Sequence, residues 1–255
     1  PMQRMPVLFV GHGSPMNAIE DNPLTRTWHT LGQAIPRPRA ILAISAHWYA
    51  PGTWVNDEAQ PRQIYDMYGF PRELYELEYP VQGAPGLAKR VQALAGCVVD
   101  NNWGIDHGTW SVLVHLFPQA DIPVCQLSID RTASPEFHYQ LGRQLAPLRD
   151  EGFLILGSGN IVHNLRRVDF ANEGGEPWAY EFDQTVGEKI RQRDHAALLH
   201  PEVFSPEAAR LAIPTPDHYW PLLYVLGAAQ PDDTITSFNE ICQYGSLSMT
   251  GYQFG

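Results

Sequence analysis

Val7-Leu8-Phe9-Val10-Gly11-His12-Gly13-Ser14 begins with four apolar residues in unbroken succession and then breaks on a glycine. A continuous apolar run of this length, without the alternation of a half-exposed strand, is the pattern of a β-strand covered on both faces. The pattern returns at Ala40–Ser45, Ile122–Leu127 and Phe153–Leu156, and a further strand is expected over Thr234–Phe238. Segments of helical period separate these runs: Leu24–Ala34, Pro85–Leu94, Ser134–Leu148, Pro177–Arg193 and Pro216–Leu226. Ser134 is placed to cap its helix with Pro135 in the first turn, and Pro147 is expected to end it. Strand and helix alternate, which predicts an α/β fold: a central, mostly parallel or mixed sheet with helices on both faces. No linker, repeat or low-complexity tract divides the chain, so one domain over residues 1–255 is expected.

Bulk composition narrows the functions open to such a fold. Apolar residues make up 44% and charged residues 18%, as in a compact globule, and 255 residues bury enough surface to need no disulfide or structural metal. The net charge of −11, from 28 acidic and 17 basic side chains, argues against nucleic acid and against an anionic membrane surface. Cys97, Cys125 and Cys242 are odd in number and far apart, and no CxxC is present, so reduced buried thiols are expected. The stretch from Pro1 to Val10 lacks the basic start and long apolar run of a signal peptide. Apolar stretches such as Ala40–Ala46 are far shorter than the roughly 20 residues of a membrane span. The expectation is a soluble, cytoplasmic protein. Nothing points to an oligomer, so a monomer is expected, with a homodimer as the alternative.

Tyr49 to Pro85 is unlike the rest. It holds Pro51, Pro61, Pro71, Pro80 and Pro85, with five tyrosines from Tyr49 to Tyr79. A long aromatic insertion punctuated by prolines is more often a functional loop than a connector.

Ten histidines are present, and their positions matter more than their number. His12 follows the first strand, His47 follows the second in Ile44-Ser45-Ala46-His47-Trp48, and His163 follows another in Gly157-Ser158-Gly159-Asn160-Ile161-Val162-His163. Ligands of open α/β sheets bind beyond the carboxyl ends of the strands, so histidines far apart in sequence can converge there. His218, in Thr215-Pro216-Asp217-His218, starts a predicted helix, and His107 lies between glycines in Gly104-Ile105-Asp106-His107-Gly108. A single loop histidine usually has a structural hydrogen-bonding role. Five in Gly- or Pro-flanked loops point instead to a shared site. His29, His115, His138, His195 and His200 fall in helical or charged surface stretches and read as structural or solvated. Imidazole suits zinc, iron and copper, and a three-histidine set with an open position is a catalytic rather than a structural arrangement. The small turns Gly11–Ser14 and Gly157–Gly159 could cradle an anion, although single glycine pairs are weak evidence and tight strand-to-loop turns explain them better. Ser158 is not in a GxSxG elbow, which disfavours a serine hydrolase. Tyr244–Met249 alternates like an edge or closing strand.

These motifs carry a resemblance. Gly11-His12-Gly13-Ser14-Pro15-Met16, Ser45-Ala46-His47-Trp48, Gly104–Gly108, Gly157–Leu165, Thr215–Leu222 and Tyr244–Met249 resemble the bacterial branch of the DOPA 4,5-dioxygenase-like family. That family belongs to the class III extradiol dioxygenases of the LigB superfamily, and the resemblance runs in unbroken order from about Pro6 to the end. It implies a metal-dependent dioxygenase that opens the ring of a catechol such as DOPA with O2. It implies metal ligation by His12, His47 and His218, with one divalent ion, Zn2+ or Fe2+. His163 would be the acid/base histidine or a fourth ligand, and His107 a second histidine facing a small aromatic diol. Wider relatives use two histidines and a glutamate, whereas His218 stands where a carboxylate is expected here. Trp48, Tyr65, Tyr68, Phe70 and Tyr219 are the candidates to wall the substrate ring. Two other readings stay open: a zinc hydrolase on the same scaffold, and a non-catalytic metal-binding interaction protein.

Overall fold

The computed structural model describes residues 3–255, so Pro1 and Met2 of the N-terminal stretch lie outside the described residues. The first half runs β1 (Val7–Gly11), α1 (Pro23–Ala34), β2 (Ile41–Ala50), β3 (Trp54–Val55), α2 (Arg72–Glu76), α3 (Pro85–Ala95), β4 (Val98–Val99), α4 (His107–Leu116), β5 (Val124–Asp130) and α5 (Pro135–Leu145). The second half runs β6 (Leu154–Gly159), α6 (Pro177–Arg191), α7 (His195–Leu199), α8 (Pro201–Phe204), α9 (Pro206–Ala212), α10 (Trp220–Ala228), β7 (Ile235–Phe238), β8 (Cys242–Gln243), β9 (Leu247–Ser248) and β10 (Gly251–Phe254).

Eight strands form one mixed sheet in the order β4-β3-β5-β2-β6-β1-β10-β7. Its centre, β5-β2-β6-β1, is parallel, and these are the four strands announced by apolar runs. β3 pairs antiparallel with β5, and β10 pairs antiparallel with both β1 and β7. Side chains alternate across the central strands and feed two separate cores. Val7, Phe9, Leu42, Ile44 and Ile155 face the layer holding α5, α6 and α10. Leu8, Val10, Ile41, Leu154 and Leu156 face α1 and α4, where Trp28 and Trp110 are fully buried. α10 is apolar on every side and has no exposed face from Pro221 to Ala228, as expected of a helix enclosed by its neighbours.

The boundaries differ from expectation where proline and local hydrogen bonding intervene. The helix capped by Ser134 ends at Leu145 and tightens into a 3-10 turn, Ala146–Glu151, which accommodates Pro147. The helix expected from Pro216 is a 3-10 turn over Pro216–His218, and α10 starts only at Trp220. Tyr244–Met249 supplies the turn and β9 of a small hairpin with β8, apart from the main sheet, which β10 enters beyond it. No helix of the described residues is long and apolar enough to cross a membrane.

Candidate metal centre

The parallel strands end on one side of the sheet, and the loops leaving them carry the histidines. β1 delivers His12, β2 carries His47 near its end, and β6 leads to His163. His218 arrives from the 3-10 turn before α10, and its chain can approach only because β6 ends in glycine. The backbone N–H of Asn160 donates to the His218 carbonyl at 2.9 Å, and a Cβ on Gly159 would lie 2.1 Å from that oxygen. The glycine turns are therefore close-approach devices. Their N–H groups are committed within the protein: His12 N–H donates to Gly159 O and Gly13 N–H to the Asn160 side chain.

The ring nitrogens of His12, His47 and His218 lie within 4.8 Å of one another. Two of the three tautomers follow from their neighbours. Ser158 Oγ donates to Gly108 O at 2.6 Å, so it can only accept from His12 Nδ1 at 2.8 Å. Nδ1 of His12 thus carries the proton and Nε2 presents a lone pair. His218 Nδ1 lies 2.6 Å from Asp217 Oδ2, which likewise leaves Nε2 as the lone pair. That Nε2 is buried and has no hydrogen-bond partner, while His47 Nε2 sits 3.2 Å from His12 Nε2. Burial, then the neighbouring imidazoles, pushes His12 and His218 well below the ordinary histidine range. Burial and His107 bring His47 down to about 3. Neutral imidazoles with an orphaned nitrogen fit a divalent cation, and the serine behind His12 and the carboxylate behind His218 are the support such ligands use.

Around this group lies a cavity of about 500 Å³. His163 lines it and stacks on His218, with ring centroids 3.4 Å apart and planes within 5°, and stands outside the group of three. Burial brings its pKa down to about 4. His107 lines another wall. Its Nδ1 is 2.9 Å from Asp66 Oδ1 but out of hydrogen-bond alignment, while its backbone N–H donates to the same oxygen. His47, Asp66 and His107 form a second set whose ligating atoms lie within 4.8 Å of one another. Beneath them Asp106 is buried and accepts from Ser45 Oγ, Gly108 N–H, Trp103 Nε1 and Gln126 Nε2, which fixes the loops of both His47 and His107. Burial, with Asp66 nearby, raises the Asp106 pKa.

Of the aromatic candidates, Tyr68 and Phe70 line the cavity and three do not. Tyr65 packs on Trp110 with its hydroxyl on Leu77 O. Trp48, the residue after His47 on β2, is buried outside the lining. Tyr219 is in the core, with its hydroxyl donating to Leu198 O at 2.6 Å. The sequence reading passed over Asp66, Asp217, Ser158, Leu165, Val168 and Phe170. Asp217 carried a signal, since a carboxylate directly precedes a candidate ligand. The other five histidines lie away from the cavity.

Comparisons with known proteins show the family. A family model described as the catalytic LigB subunit of aromatic ring-opening dioxygenase matches residues 6–255. The chain is 47% identical to a 4,5-DOPA dioxygenase extradiol of Escherichia coli (strain K12), covering 99% of this chain and 95% of that protein. It is 37% identical to the protein of the same name from Beta vulgaris, covering 96% and 95%. The crystal structure of an uncharacterized protein from Escherichia coli K12 matches with a TM-score of 0.86 and 43% identity, over 99% of this chain and 100% of that one.

Proposed function

Because the chain belongs to the LigB family of aromatic ring-opening dioxygenases, we propose that it is an extradiol dioxygenase that opens the ring of a catechol such as DOPA with O2. The observation that carries the reading is the convergence of three imidazoles whose ring nitrogens lie within 4.8 Å of one another, with Nε2 of His218 buried without a partner. His12, His47 and His218 would hold one divalent metal, and Fe2+ rather than Zn2+ would supply the redox chemistry that O2 requires. That metal would also acidify a bound diol.

The chain's own groups do the rest. Ser158 and Asp217 keep the ligand imidazoles in the tautomers that leave Nε2 free. His163, buried and neutral, is the general base that takes a hydroxyl proton from the diol and returns it later. His107, whose backbone N–H is anchored on Asp66, faces a substrate oxygen and offsets negative charge developing there. Tyr68 and Phe70 wall the aromatic ring. Residues 1–255 act as a single catalytic domain, cytoplasmic and monomeric, with a homodimer as the alternative.

O2 uptake and absorbance after anaerobic Fe2+ loading, with L-DOPA and a small catechol panel beside a Zn2+-loaded control, test the proposal. Oxygen consumption with a coloured ring-opened product from the iron form alone is expected. A set of three imidazoles also suits zinc, so ester or amide hydrolysis by the zinc form, without O2 uptake, would favour the hydrolase reading instead.

A further inference from the structure

Beside the three imidazoles lies a second set of ligating side chains, which the proposed reaction does not use to hold metal. His47, Asp66 and His107 each offer one atom, and these atoms lie within 4.8 Å of one another. His47 belongs to both sets, whereas Asp66 and His107 belong to this one alone. All three line the same cavity. Asp66 comes from the aromatic insertion and His107 is the first residue of α4, so packing of the insertion against α4 builds the set; Trp110 Nε1 donates to Ile64 O at 2.9 Å in the same contact.

One atom separates this set from an ordinary ion pair. His107 is buried, at 4% exposure, and its Nδ1 has no hydrogen-bond partner. A buried polar nitrogen left unpaired is costly. Asp66 Oδ1 lies only 2.9 Å from it, yet accepts from the backbone N–H of His107 and not from the ring. Metal bonds of about 2.0–2.2 Å meeting at about 90–110° hold two donor atoms about 2.8–3.6 Å apart. The pair is therefore spaced as two ligands of one ion. Two imidazoles and a carboxylate with open positions hold Zn2+ and Fe2+ alike. Among the described residues no lysine or arginine lines the cavity, and Asp66 is the only carboxylate that does. Two divalent ions in one cavity repel each other, and the Asp66 charge offsets part of that repulsion. With two ligands of its own and one shared, the second set binds more weakly than the first.

We propose that His47, Asp66 and His107 form a second, weaker divalent-cation site, filled when metal is in excess, whose ion stands in the cavity that the diol enters and competes with it. The site itself rests on the side chains alone. The competition rests on the dioxygenase reading above.

The test needs no turnover. Zn2+ is supplied to the full chain from chelator-buffered solutions, and bound metal is counted by atomic absorption after equilibrium dialysis. Two equivalents are expected, the second weaker than the first by about a hundredfold or more. Only the first should survive dialysis against metal-free buffer, so one retained equivalent remains the mark of the first set. Asp66→Asn and His107→Phe should each keep the first equivalent and lose the second. The diol probe is 4-nitrocatechol, followed by its absorbance. At free Zn2+ about ten times the second dissociation constant, its apparent Kd should rise about tenfold, as competition requires. A single equivalent at every free Zn2+ concentration would overturn the inference. So would a second equivalent that survives in both variants; its loss in His200→Ala would place it at the surface group of His200, Glu136 and Glu202 instead. Two equivalents with unchanged 4-nitrocatechol affinity would overturn the competition. The dioxygenase reading is judged apart from these, by O2 uptake at one equivalent of Fe2+, and its failure would leave the count of bound Zn2+ to decide the second site.

Discussion

Gly159→Ala tests how tightly the fold sets the metal centre. The new methyl would stand 2.1 Å from the His218 carbonyl oxygen and 3.0 Å from its carbon, both rigid backbone atoms. Reaching ordinary contact requires the His218 segment or the end of β6 to retreat by about 1 Å. β6 is paired on both sides, with β1 and β2, so the His218 segment is the part that yields. That retreat breaks the 2.9 Å bond from Asn160 N–H and carries His218 Nε2 away from its partners. Metal ligands tolerate only about 0.2 Å of displacement, and misplacement by about 1 Å costs on the order of a hundredfold. We expect metal affinity to fall by about 10²-fold or more, with a global destabilisation of about 1–3 kcal/mol from overpacking. Competitive metal titration gives the first quantity and denaturant unfolding monitored by circular dichroism the second. Wild-type metal affinity in a folded Gly159→Ala protein would refute the argument that glycine at this position sets the place of His218.

Other perturbations separate the roles proposed for individual residues. His12→Ala and His47→Ala should each lose the bound metal, whereas His163→Ala should keep one equivalent and lose turnover; a full equivalent in both ligand variants would dismiss the assignment. Asp217→Ala releases the His218 tautomer and should weaken metal binding by about 10–100-fold, as removal of such a supporting group generally does, with competitive titration as the readout. Arg149→Met leaves the buried Asp233 carboxylate to the half-exposed Arg4, 3.3 Å away, and strips hydrogen bonds from the Met5, Ala228 and Phe254 carbonyls. A loss of about 3–5 kcal/mol is expected, or a Tm lower by about 10 °C, and a fall under about 1 kcal/mol would contradict it. His138 is buried beneath Tyr224, and burial lowers its pKa from 6.5 to about 4. Its folded value lies below its unfolded one, so its contribution is complete above pH 6.5 and disappears as pH falls toward 4. It amounts to about 3 kcal/mol at most. Denaturant titrations at pH 7 and 4.5 should show a shallower pH dependence in His138→Gln than in the wild type, and an identical dependence would count against the mechanism.

The central sheet was legible because its four parallel strands are buried on both faces and written as unbroken apolar runs. His12, His47 and His163 were legible because topology carries strand ends together whatever their spacing, and His107 and His218 because glycine or proline flanks them. Other features left no such mark. Asp66 is one carboxylate in an aromatic insertion, and only the fold brings it to His107. Ser158 looks like an ordinary small turn residue until its proton is traced to Gly108 O. Leu165 and Phe170 belong to no period, because a side chain at a cavity mouth answers to the ligand rather than to helix or strand geometry. Trp48 and Tyr219 misled for the opposite reason: adjacency to a ligand in sequence does not place a side chain on the same wall. The short helices α7 to α9 carry about one or two turns each, too little sequence for a helical period to declare itself.

The antiparallel pairing of β10 with β1 has a consequence for the order of assembly. Val7 pairs with Phe254 and Phe9 with Tyr252, so the strand that launches His12 is completed by residues almost 250 positions later. During synthesis, a nascent chain that has not reached residue 251 has β1 bare along one edge and the loop of His12 without its backing. Contacts this distant in sequence close late and slowly. A metal held by His12, His47 and His218 would therefore be captured only after β10 has paired, and deleting β10 should weaken metal retention although none of that strand's side chains lines the cavity.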